Sequence, residues 1–269
     1  MRTTAYRYPN ERLVLGVTLL LVLMVIALTA TATLCASFVF MLLFILYSFS
    51  LSKSQHQALM QTAERMTARN MPGLAEVARR GMQRLQPENV EIFVAPSSIL
   101  NAYTFGLSSP RVVVLYSALL ETMDAEELLF IIGHEFGHVV LGHTWLNSVV
   151  GGMAGIPAPG AASALLTMAF LWWNRMCEFS ADRAGLLACG KPEKAITALV
   201  KLAAGPGATS QAALEKAYQR IDAEDDTFLG SLNEALATHP MLIRRVQELR
   251  QYARSPQYRR LQAQLNQGG

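Results

Sequence analysis

The sequence predicts a mainly helical domain with a small β-sheet, an α+β arrangement, joined to an N-terminal hairpin of two transmembrane helices. Three observations carry that prediction. Residues 13–52 hold no charged side chain, a run longer than any buried core helix needs. Two short segments, 90–94 and 111–115, read as strands, the first by alternation (Val-Glu-Ile-Phe-Val) and the second by its β-branched run (Arg-Val-Val-Val-Leu). Most of the remainder follows helical spacing, in places with clear start signals.

The uncharged run accounts for much of the composition. Of 269 residues, 52% are hydrophobic and 16% charged, where a soluble domain carries about 25% charged residues. Three cysteines and 18 glycines exclude a disulfide scaffold and a collagen repeat. A net charge of +3 offers no basic surface for nucleic acid, and none is expected as a partner. As one helix the 40-residue run would measure about 60 Å, twice the roughly 30 Å hydrocarbon core of a bilayer. Two crossings joined near Thr29-Ala-Thr-Ala-Thr33 fit better, although neither Gly nor Pro marks a turn and one long tilted helix stays open. Arg2, Arg7 and Arg12 on one flank and Lys53, Arg65 and Arg69 on the other place both ends in the cytoplasm by the positive-inside rule, which requires an even number of crossings. The reading is an anchor over residues 1–52 in the cell (inner) membrane and a cytoplasmic domain over 53–269. A single span with the domain on the far side is the alternative.

Residues 53–269 carry 20 basic and 19 acidic side chains, a nearly neutral unit of single-domain size. Residues 55–85 read as helix, with a break at Met71-Pro72-Gly73 left open. Residues 97–106 read as the connection between the two strands. Asp124-Ala-Glu-Glu127 has the acidic N-cap, and the Glu three places on, of a helix start. Further along, 191–204 reads as a helix opened by Pro192, 211–226 as polar helix and loop, and the arginine-bearing tail after Glu248 as solvated helix.

The capped helix runs into His134-Glu-Phe-Gly-His138. Positions i and i+4 of a helix share one face, so both imidazoles can reach one Zn²⁺. Glu135 then stands beside the open coordination position, where a carboxylate can take a proton from an attacking water. This is the HExxH arrangement of zinc peptidases, here in a strongly apolar helix where two histidines and a glutamate have little structural reason to be. One zinc per chain is expected, and it needs a third protein ligand.

Two candidates compete for that place. His143 fails the HExxHxxGxxH spacing, since Leu141 and Thr144 stand where Gly and His belong. On a continuing helix it would be rotated about 140° from His138, and it reads as a helix-end residue. Glu178 is the stronger candidate, with Asp182 four residues on along the same helix face. Glu178 would bind the metal while Asp182 accepts a hydrogen bond from a ligand histidine and fixes its tautomer.

The set His134-Glu-Phe-Gly-His-Val-Val-Leu-Gly-His143 followed by Glu178-Phe-Ser-Ala-Asp182 resembles the HtpX-type membrane metalloproteases, relatives of the CAAX prenyl endopeptidases and the Oma-type proteases. Asn101-Ala-Tyr-Thr-Phe-Gly106 resembles the family's Asn-Ala-Phe-Ala-x-Gly segment just ahead of an active-site edge strand, and Thr238-His-Pro-Met-Leu-Ile-Arg-Arg-Val246 resembles its Ser/Thr-His-Pro…Arg-Ile/Val motif. The resemblance covers about residues 90–250. It implies a zincin-like domain of gluzincin type, with His134, His138 and Glu178 on zinc and Glu135 as general base. It further implies His239 near the metal, with Arg245 and Asn101 in supporting roles. Chemically, His239 and Arg245 suit oxyanion stabilisation, and Asn101 suits holding substrate backbone.

A second uncharged run, residues 145–173, lies between His138 and Glu178. Both flanks must reach one metal, and 29 residues are too few for two crossings. A re-entrant or membrane-facing insertion, broken around residues 155–160, or an apolar cover packed on the domain, is therefore expected. Together these features describe a membrane-anchored zinc endopeptidase acting on protein or peptide substrates at the bilayer. The resemblance implies misfolded or damaged membrane proteins as substrates, a quality-control role in stress response. The competing reading, a non-proteolytic zinc-containing adaptor or chaperone, has no use for Glu135.

Overall fold

The computed structural model describes residues 5–32, 61–105, 109–144, 161–204 and 242–267, with isolated helical positions between 39 and 60. The fold is mainly helical with one small mixed sheet and one N-terminal apolar helix. Helix α1 spans Glu11–Ala32, followed by strand β1 (Glu64–Arg65), α2 (Pro72–Leu85), β2 (Val90–Ala95), β3 (Ala102–Phe105), β4 (Arg111–Tyr116), α3 (Ser117–Thr122), α4 (Ala125–Leu141), α5 (Ala161–Cys189), α6 (Pro192–Ala204), α7 (Leu242–Arg254) and α8 (Pro256–Gln267).

The sheet order is β1-β2-β4-β3, with β2 and β4 parallel and both outer strands antiparallel to their neighbours. Both expected strands form. Two others were not expected. Residues 64–65 add to the sheet edge, so the helix read over 55–85 is interrupted between the helical positions 57 and 60 and Pro72, where the missing N–H and fixed φ suit a first helical position. Residues 102–105, read as part of a connection, pair with β4 from Ala102↔Leu115 to Phe105↔Val112. The edge strand therefore lies within the Asn101–Phe105 segment rather than after it. Four residues are too few to show a period on their own, and only pairing with β4 defines this strand.

Helix α4 is the central rod. Asp124 caps it, accepting from the N–H groups of Glu126 and Glu127, while the Glu127 carboxylate accepts from the Asp124 N–H at 2.9 Å. Gly142, at φ +77°, ends it in the left-handed conformation. Nearly the whole helix is buried, in one core with α2, the sheet, the C-terminal half of α5, α6, α7 and α8. The basic tail belongs to that core as well: Val246, Leu249, Tyr252, Tyr258 and Leu261 bury one side of α7 and α8, leaving their polar side outward.

Helix α1 has a different partner. Val14, Thr18, Val22 and Val25 form a buried stripe against Leu166, Ala169, Trp173 and Cys177 of α5, with the two helices antiparallel. The Thr18 hydroxyl donates to the carbonyls of Val14 and Ala169, the latter at 3.2 Å. Other sides carry exposed apolar residues: Leu13, Leu20, Leu23 and Leu28 are 61–67% exposed, and Met168 and Trp172 of α5 are exposed too. Residues 11–28 reach a mean hydropathy of 2.4, long and apolar enough to cross a membrane. Of the second half of the expected hairpin only isolated helical positions are described, and the proposed break at 155–160 and the polar stretch 211–226 lie outside the described residues.

Candidate metal centre

Helices α4 and α5 approach closely because small residues line their contact. A Cβ added at Gly133 would lie 2.4 Å from the Ala188 Cβ, and one at Gly137 would lie 2.7 Å from the Ala184 Cβ. The same face of α4 carries His134 and His138, so this approach brings Glu178 of α5 up to both imidazoles. The Glu178 oxygens lie 3.5 Å from His134 Nε2 and 3.4 Å from His138 Nε2. The two Nε2 atoms are 3.1 Å apart. Three ligand atoms thus converge within 4.8 Å of one another. Gly133→Ala is expected to lower the melting temperature and weaken metal retention. Overpacking at a rigid Cβ costs about 1–3 kcal/mol, more than the roughly 1 kcal/mol that alanine gains in helix propensity. Gly73→Ala, where an added Cβ meets nothing within 4 Å, is the control, expected not to lower the melting temperature and to leave metal retention unchanged.

The rear nitrogens of both imidazoles are engaged. His134 Nδ1 lies 2.9 Å from Asp182 Oδ1. Arg245 of α7 clamps Asp182 with two bonds, Nη2 to Oδ1 at 2.7 Å and Nε to Oδ2 at 2.8 Å, and its Nη1 lies 3.1 Å from Glu178 Oε2. Burial pushes the Glu178 and Asp182 pKa values up, but Arg245 and the neighbouring imidazoles together outweigh it and hold both below the usual carboxylate range. Burial likewise pulls His138 down, and the Glu178 and Glu135 carboxylates together more than compensate, leaving it above its ordinary value. With its planar fork against two carboxylates, Arg245 braces Glu178, a candidate ligand, and Asp182.

His138 Nδ1 faces His143 Nδ1 at 3.0 Å, and His143 Nε2 faces Glu11 Oε1 at 3.1 Å. His143 is fully buried and held neutral, its pKa pushed well below the ordinary value by desolvation. The reading of His143 as a mere helix-end residue is corrected here. It assumed a continuing helix, whereas the left-handed Gly142 breaks the helix and folds the chain back under His138. The Gly one place before was the available signal.

Glu135 is buried at 5% exposure and accepts a 2.6 Å hydrogen bond from the Thr104 hydroxyl of β3. The sequence offered no sign of Thr104. Asn101 lies exposed just before β3, its carbonyl accepting the Tyr116 N–H at 3.0 Å. His239 lies outside the described residues. With both rear nitrogens engaged, two imidazole Nε2 atoms and one carboxylate face a common point. That donor set suits a tetrahedral zinc with one open position.

Comparison with known proteins adds an independent observation. The model of peptidase family M48 matches residues 65–253. The plastoglobule-localized metallopeptidase 48 of Arabidopsis thaliana is 30% identical over 196 residues, covering 68% of this chain and 57% of that protein. Protease HtpX of Acinetobacter baumannii is 27% identical over 198 residues, 60% of this chain and 65% of that protein. A CAAX prenyl protease 1 homolog of Dictyostelium discoideum is 49% identical over a stretch of 45 residues, 17% of this chain and 11% of that protein. The chain spans less than two thirds of the length of each of these three relatives.

Proposed function

The chain belongs to peptidase family M48, and on that footing we propose that it is a membrane-anchored zinc endopeptidase. The observation that carries this is the convergence of His134, His138 and Glu178 beside a buried Glu135. His134 Nε2, His138 Nε2 and the Glu178 carboxylate would hold the metal. When bound, it supplies a Lewis acid that polarises the substrate carbonyl and acidifies water at the open position. Glu135 takes the proton of the attacking water and passes it to the leaving amine. Thr104 fixes the Glu135 carboxylate for both transfers. Strand β3, paired on one side only among the described residues, offers its other edge to an extended substrate backbone.

The membrane part of the proposal rests on chain path. Tyr6 is buried in the same core as α2, α4 and the sheet, and β1 pairs with β2. Residues 6 and 64 thus sit in one folded unit, and an excursion across a bilayer between them must return. This supports a reading with two crossings and with the N-terminus and the active site on one side, the cytoplasmic one by flanking charge. The apolar first half of α5 runs beside α1, in keeping with residues 145–173 entering the bilayer next to the site. Membrane proteins in a misfolded or damaged state are the substrates we propose, in quality control.

Full-length protein in detergent should cleave an unfolded model protein and a membrane-embedded one, lose activity to a chelator and regain it with zinc. Undiminished cleavage by thoroughly metal-free protein would overturn the enzyme class. Without Cys35, Cys177 and Cys189, Thr4→Cys and Ser54→Cys should both react with an impermeant maleimide from the same membrane face. Labelling from opposite faces would exclude the hairpin.

A further inference from the structure

Glu11 has no reason to be where it is on helix-forming grounds alone. An acidic residue in a first helical turn is favourable at the surface, yet this carboxylate is 2% exposed. Its Oε1 meets Arg7 and lies 3.1 Å from His143 Nε2, and its Oε2 accepts from the Ser180 hydroxyl. Ser180 in turn accepts the Tyr8 N–H at 2.8 Å. Arg7 also reaches the Leu141 carbonyl at the end of α4. The start of the membrane helix is thereby tied to the end of the HExxH helix.

The proton positions along this chain are determined by its chemistry. A His138 that offers Nε2 to a metal carries its proton on Nδ1 and donates it to His143 Nδ1. A neutral His143 then has its only N–H on Nε2, aimed at Glu11. The other tautomer of His143 would set two N–H groups head to head across 3.0 Å. His134 has the corresponding arrangement on its own side, Nδ1 to Asp182 with Arg245 behind.

We propose that Glu11 is a positioning residue of the metal centre, acting through His143 to orient His138 as Asp182 orients His134. The inference rests on the zinc-peptidase reading of His134, His138 and Glu178. It makes the N-terminal helix part of the site, since the group that completes the outer shell of His138 comes from α1. Glu11, His143 and Cys177 also lie close enough to hold a cation of their own. Arg7 argues against it, because a fixed positive charge already neutralises Glu11, and each Glu11 oxygen already has a protein partner.

The test uses the full-length protein, with zinc affinity from chelator competition and the visible spectrum of the cobalt(II)-loaded form. Glu11→Gln and His143→Leu are each expected to weaken zinc binding by roughly 10–100-fold and to alter the cobalt bands. The double variant should bind no more weakly than the weaker single variant, as links of one chain require. Val22→Ala, which loosens α1 against Leu166 away from Glu11, should lower the melting temperature and leave zinc affinity unchanged. Wild-type affinity with an unchanged spectrum in Glu11→Gln would overturn the proposal, as would losses that simply add. So would a second zinc per chain that disappears in Cys177→Ser. Glu178→Gln separates the two levels of the argument. If it loses zinc while Glu11→Gln does not, the relay fails and the zinc site stands; if it keeps zinc at wild-type affinity, the site reading itself fails.

Discussion

Replacing Glu135 with glutamine is expected to cut peptide hydrolysis by roughly 10³-fold, within the range that general acid–base groups contribute, and to leave the metal bound. Glutamine keeps the size and the hydrogen bond from Thr104, but it cannot take a proton from water or return one to the amine. Glu135 is not among the converging ligands, so the metal content of the variant should match wild type. The useful contrast is Thr104→Val. It leaves Glu135 chemically intact but removes the 2.6 Å hydrogen bond that orients it. A hydrogen bond to a charged group is worth about 1.5–3 kcal/mol, so kcat should fall by about tenfold or more with little change in KM. Single-turnover cleavage of a quenched peptide, with metal content measured alongside, checks both. Wild-type rates in Glu135→Gln would remove the carboxylate from the mechanism.

Arg245→Leu is expected to destabilise the metal-free protein by about 3–5 kcal/mol near neutral pH, the usual cost of breaking a buried ion pair from one side. It strands two carboxylates, Glu178 and Asp182, the latter only 2% exposed. In the wild type both have folded pKa values below their unfolded ones, because Arg245 and the imidazoles together outweigh burial. Groups shifted that way contribute stability above their unfolded values, near about 4. That stability is lost as pH falls through the folded values. Without Arg245 only the imidazoles still oppose burial, so the folded pKa values rise and the stability these carboxylates contribute above about 4 is diminished. The difference between variant and wild type should therefore shrink from pH 7 toward pH 4. Urea unfolding across that range measures it. A difference that stays constant with pH would mean that packing, not charge, is what Arg245 supplies.

Legibility in the sequence followed the range of each interaction. The α4 cap and the His134–Glu135–His138 face are set by neighbours within one or two turns, and both could be read directly. Glu178 and Asp182 shared a face by the same rule, though their pairing with α4 came from resemblance. Strand β3 was missed because its only signature is its partner β4. His143 was misread because one left-handed residue at Gly142 overrode helical periodicity. Arg245 was legible as a motif position, but not its double engagement with Asp182 and Glu178.

By itself the sequence determined that an uncharged run long enough for a bilayer precedes a helix bearing a zinc-peptidase motif, because period and composition are local properties. What only the tertiary structure decided is which side chains stand behind that motif. Glycines at 133 and 137 let α5 close onto α4 and deliver Glu178 and Asp182, while Glu11 arrives from a helix 132 residues before His143. Hydrogen bonds between distant segments leave no spacing to read. They exist only once packing has brought their partners within 3 Å or so of each other.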